Sequence, residues 1–109
     1  MAYFHAWLVA FLFTQMVEVP VYVRGLRVGI LPAFGASAIT HPILWFVIFP
    51  YLPLSYLGLI VVGEAFAFLV EAAYFKFLFR RPRALLWSAL ANGASFGTGM
   101  LSRWLFGAP

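Results

Sequence analysis

The chain has no cysteine. Disulfides, thiolate metal sites and cysteine nucleophiles are excluded, and the redox compartment is not written in the sequence. Charge is scarce: 9% of the 109 residues carry it, against about a quarter in a soluble domain. The acidic side chains are only three, Glu18, Glu64 and Glu71. Also missing are HExxH, Glu-x-x-His and any nucleophile–base spacing, so no motif announces an enzyme. The opening residues, Met1 to His5, contain no basic n-region, and no small-x-small cleavage site follows. The first apolar segment is therefore expected to be a retained span and not a signal peptide.

What is present is apolar. Hydrophobic residues make up 65% of the chain, and mean hydropathy is +1.00. Polar groups are too few to cover a surface in water, so the bilayer is the expected solvent. Four runs are long enough to cross about 30 Å of hydrocarbon at 1.5 Å per residue. They cover residues 3–23, 32–49, 54–79 and 84–106 of a single integral membrane domain, 1–109. They are continuous, without the alternation of barrel strands, and so predict helices. Phe49-Pro50-Tyr51-Leu52-Pro53 breaks the second run from the third, and Arg80-Arg81-Pro82-Arg83 the third from the fourth. The expected fold class is all-α, a polytopic membrane protein of four transmembrane helices.

Of the seven Lys and Arg residues, six flank the first and third turns: Arg24, Arg27, Lys76, Arg80, Arg81 and Arg83. Only Arg103 sits at the other side. The positive-inside rule puts both basic turns in the cytoplasm of a bacterial-type inner membrane, with both termini outside. Tyr3, Trp7, Tyr51, Tyr56 and Trp104 would form an outer aromatic belt, Tyr22 and Trp87 an inner one. The net charge of +4 is explained by topology and anionic lipid, which disfavours a nucleic-acid partner.

The two halves resemble each other. One reads Val17-Glu18, a basic turn, then Ser37-Ala38-Ile39-Thr40-His41. The other reads Val70-Glu71, a basic turn, then Ser88-Ala89-Leu90-Ala91-Asn92. The spacing differs by only two residues. Each half holds two helices, so both insert in the same direction. The expected arrangement is two parallel-repeat helix hairpins about an axis along the membrane normal. Glu18 would then pair with Glu71, and His41 with Asn92. From the basic turns, Glu18 and Glu71 lie about 9 and 13 Å deep. Glu64 has Phe11 at its matching position and sits nearer the midplane.

Ionisable groups at membrane depth tend to face a bundle interior or a water-filled cavity. The carboxylates have no Lys or Arg at their own depth, and Lys76 is expected to snorkel away from Glu71. Pro20 and Pro42 free the carbonyls of Met16 and Ala38 beside Glu18 and His41. Ser88, Asn92, Ser95, Gly99 and Ser102 form one face of the last helix. The last three of these are expected to serve helix packing. The candidate intramembrane binding site is therefore Glu18, His41, Glu64, Glu71, Asn92, Ser37 and Ser88.

In length, in its four spans and in an acidic residue in the first helix, Glu18, the chain is similar to the small multidrug resistance transporters. The likeness is one of size and layout. Glu18 lies late in its helix, and no site residue is carried over. The expected function is a transporter or channel-like protein with a carboxylate/His polar site. An accessory or structural subunit of a larger membrane complex is the alternative. A metal-dependent intramembrane enzyme is a third reading, with His41 and the three glutamates offering ligands to a hard or borderline cation. Four helices enclose little volume, which favours a homo-oligomer or a larger membrane complex. No motif assigns a cofactor or a substrate.

Overall fold

A basic turn ends the first helix, Ala2–Leu26, and a second one precedes the last, Ala84–Phe106. In the computed structural model, which describes residues 1–107, these two turns lie at one end of a helical bundle. The second helix runs Ile30–Tyr51 and the third Tyr56–Leu78. Three of the four helices, the first to the third, are long and apolar enough to cross a membrane. That makes the chain an integral membrane protein by element length and composition. The last helix is 23 residues long. Its polar stripe and glycines lower its hydropathy below that of the others.

Local signals account for the boundaries. The first helix runs through Arg24-Gly25-Leu26, beyond the Val23 expected from the sequence, and stops where Arg27 adopts a left-handed cap with φ 56°. Arg80 takes the same conformation, φ 55°, after the third helix. Ser55 caps the third helix by accepting from Gly58 N at 3.0 Å. Wider, π-helical turns occur at Leu44–Ile48 and Tyr74–Leu78. The first of them begins just past Pro42, which cannot donate the normal helical hydrogen bond.

The first helix packs against the second and the fourth, and the third packs against the fourth and the second. The result is a four-membered ring of helices. Its end at the basic turns is filled by Tyr22, Leu26, Val28, Ala33, Phe75 and Ala84, all buried. The Tyr22 and Phe75 rings pack there at a tilt of 44°, 4.4 Å between centroids. Arg81 ties the two turns together. Its guanidinium donates to Leu26 O and Phe79 O at 2.9 Å each, and to Arg27 O at 3.4 Å. These bonds satisfy carbonyls that helix ends would otherwise leave open. Large apolar side chains such as Leu12, Met16, Leu57, Leu69 and Leu85 face outward, as lipid contact requires.

Two glycines are needed for close approach at this end. A Cβ on Gly25 would stand 2.2 Å from Trp87 Cδ2, inside the indole. On Gly35 it would meet Tyr74 Oη at 2.5 Å, where that hydroxyl donates to Pro32 O at 2.9 Å. Gly25→Ala is expected to push the indole of Trp87 out of its seat and to cost about 2 kcal/mol, the usual scale of overpacking. Thermal unfolding in detergent checks this; an unchanged melting temperature would mean that the two helices slide apart freely here.

Candidate functional site

Glu71 is where the four helices meet. It projects from the third helix and is 1% exposed. Its Oε1 accepts from Tyr22 Oη of the first helix at 2.5 Å and from Asn92 Nδ2 of the fourth at 3.2 Å. Its Oε2 accepts from Thr40 Oγ1 of the second at 2.6 Å. A carboxyl buried this deeply persists only if its oxygens are supplied with donors. Here each of the other three helices supplies one. Ser88 supports the group from below: its Oγ donates to Phe68 O at 2.8 Å. Asn92 Nδ2 also reaches Ser88 O at 2.9 Å.

Glu18 lies across from it on the first helix, 2% exposed. Ser95 Oγ donates to Glu18 Oε2 at 2.6 Å. The Glu18 and Glu71 carboxyls lie within electrostatic reach of each other. Two carboxylates have no donor between them, so they make a hydrogen bond only when the pair holds a proton. Without that proton, Glu18 Oε1 has no partner among the described residues.

His41 is set apart from this pair by its surroundings. Its ring lies against Trp45, Phe11 and Trp7, at centroid distances of 6.0, 5.6 and 6.5 Å. Its Nε2 faces Thr14 Oγ1 at 3.4 Å, a contact with a hydroxyl and not with a carboxylate. The neighbouring residue, Thr40, is the one that touches Glu71. Ser37, one turn before His41, is buried with its Oγ unpartnered among the described residues. Glu64 is half-buried and stands in the wall between the central cavity and a shallow outer groove near Gly93. Lys76 is engaged with the Phe77 ring, 5.5 Å from its centroid.

The bundle is filled at one end and hollow at the other. A half-open cavity of about 1210 Å³ is lined from Tyr3, Tyr51, Tyr56 and Arg103 down to Glu18, Ser37, Thr40, His41, Glu71 and Asn92. Its walls are apolar and aromatic, including Phe13, Leu44, Trp45, Phe49 and Phe96. At the mouth, Arg103 faces Tyr56 Oη and Met100 Sδ. Among the described residues, no three of His, Asp or Glu come together as metal ligands do. The His41–glutamate cation site raised by composition is thus not assembled by this geometry.

Sequence reasoning missed three residues of the site. Tyr22 was expected in an aromatic belt; it is fully buried and donates to Glu71. Thr40 entered only as part of the repeated segment Ser37-Ala38-Ile39-Thr40-His41, and it donates to Glu71. Ser95 was expected to serve packing, and it is the donor to Glu18. The signal for Tyr22 was its position one helical turn after Glu18, on the same face. Comparison with protein-family models, with curated proteins and with solved structures finds no match to this chain.

Proposed function

We propose that this chain is a small membrane transporter or channel-like protein in which a cavity open to the outside delivers a proton or cation to the Glu18–Glu71 pair. The observation that carries the reading is the cavity of about 1210 Å³ whose lining includes both carboxyls, in a bundle filled with side chains at its other end. Hydrophobic packing alone has no use for two acids held together at membrane depth.

The reading includes a fourth span and a parallel repeat. Several pairs at matching positions of the two halves support the repeat. Arg27 and Arg80 share a left-handed conformation. Glu18 and Glu71, and Ser37 and Ser88, are all buried. The rings of Tyr22 and Phe75 pack against each other, where a two-fold axis between the hairpins would pass. The last helix, at 1.5 Å per residue, is about 34 Å long, enough to cross the bilayer beside the other three.

The basic end faces the cytoplasm in this reading, and the mouth faces outward. Single cysteines at Ala2 and at Pro82, both exposed, should be labelled by an impermeant thiol reagent from opposite sides of the membrane. Labelling of both from one side would refute the orientation.

The function itself is tested in liposomes loaded with a pH-sensitive dye. Under a potassium–valinomycin potential, purified protein should carry protons faster than protein-free vesicles do. Flux at the vesicle background would exclude the transport reading and leave that of an accessory subunit.

A further inference from the structure

We propose that the floor of the cavity takes a primary ammonium group, R–NH3+, carried on an apolar body. This deepens the cavity reading above and rests on it. Five buried side-chain atoms lack a hydrogen-bond partner among the described residues: Trp7 Nε1, Gln15 Oε1, Glu18 Oε1, Ser37 Oγ and His41 Nδ1. Glu18, Ser37 and His41 line the cavity and are 2%, 1% and 9% exposed. Native structures rarely leave buried polar atoms unpaired, and three in the lining of one cavity ask for a common partner.

All three atoms accept. A carboxylate oxygen only accepts, and a serine hydroxyl accepts as readily as it donates. His41 Nδ1 accepts in the tautomer that carries its hydrogen on Nε2, which Thr14 Oγ1 receives at 3.4 Å. The cationic side chain in the lining is Arg103, and it stands at the mouth. The matching head group therefore brings several donors, no acceptor and a positive charge. An ammonium has three donors on one compact centre. A hydroxyl brings a single donor, a quaternary ammonium none. A metal ion finds no cluster of three ligands among the described residues.

The walls specify the rest of the molecule. Phe13, Leu44, Trp45, Phe49 and Phe96 present apolar and aromatic surface above the floor. Such surface favours a hydrocarbon or aryl body and attracts a cation to the ring faces. The cavity, at about 1210 Å³, has ample room for an arylalkyl amine.

The test is titration calorimetry of the full chain in nanodiscs at neutral pH with three probes. These are 2-phenylethylamine, its neutral counterpart 2-phenylethanol, and benzyltrimethylammonium, a cation without N–H donors. The amine is expected to bind about tenfold or more tighter than either, because a site built for donors rejects a ligand that lacks them. Ser37→Ala should lower amine affinity about tenfold, the lower end of the scale for one hydrogen bond to a charged group. It should leave the melting temperature unchanged, since Ser37 Oγ has no hydrogen-bond partner among the described residues. Equal binding of the three probes, or an amine affinity untouched by Ser37→Ala, would overturn the proposal. The proton-flux assay separates the two readings. Flux without amine preference removes the ammonium site and keeps transport; amine preference without flux keeps the site and removes transport.

Discussion

Glu71→Ala is expected to destabilise the bundle by about 4 kcal/mol, enough to unfold many membrane proteins in mild detergent. The loss does not come from one bond. Alanine removes the acceptor of Tyr22 Oη, Thr40 Oγ1 and Asn92 Nδ2 together. Thr40 retains Ala36 O at 3.4 Å, and Asn92 retains Ser88 O at 2.9 Å. Tyr22 falls back only on Ser88 Oγ at 3.4 Å. A buried donor left without a partner costs about 1–3 kcal/mol, and the vacated volume adds to it. Glu71→Gln should behave differently. Its amide oxygen still accepts from Tyr22 and Asn92. Its NH2 donates to Thr40 Oγ1, whose own hydrogen turns to Ala36 O. The expected loss is below about 1.5 kcal/mol. Denaturation in mixed micelles measures both; equal stability of Glu71→Ala and wild type would mean that the four helices do not depend on this junction.

The helices were legible because apolar run length and basic turns are one-dimensional signals. That Glu18 and Glu71 are both buried followed from their matching places ahead of the two basic turns. Of the side chains that meet those carboxyls, Asn92 was in the expected site, while Tyr22, Thr40 and Ser95 were not, because partners from other helices depend on rotation about each helix axis. Thr40 and His41 show this. They are adjacent, about 100° apart on the helix, and the threonine took the place beside the acid. His41 turned to Trp7, Phe11 and Trp45, where its flat ring packs on other rings. Tyr22 misled for a different reason. A tyrosine near a basic turn suits the interfacial belt, yet its hydroxyl meets a buried acceptor, and that bond decides its orientation. The π-helical turn after Pro42 also escaped the pattern, since proline predicts a lost bond but not how the following residues will rewind.

The largest functional effect is expected from Glu18→Gln, with proton flux falling about a hundredfold, the scale of losing one positioned proton donor–acceptor. Glu18 touches Ser95 through Oε2 and lies within electrostatic reach of the Glu71 carboxyl. A glutamine keeps the first contact through its amide oxygen. Its NH2 points a permanent donor at Glu71, where the native pair has to hold a proton. The substituted pair is thus hydrogen-bonded without a shared proton, and the two-carboxyl relay is reduced to Glu71 alone. Stability should hold or rise, because the amide N–H supplies the donor that the native pair obtains only by holding a proton. A structural pair and a functional pair part at this point. If Glu18→Gln lowers the melting temperature, the two carboxyls are glue between the first and third helices. If it keeps both stability and flux, the route for protons does not pass through them. Only retained stability with lost flux assigns the pair its role, and the same vesicles and dye should report a comparable loss of flux for Glu71→Gln, alongside its small loss of stability.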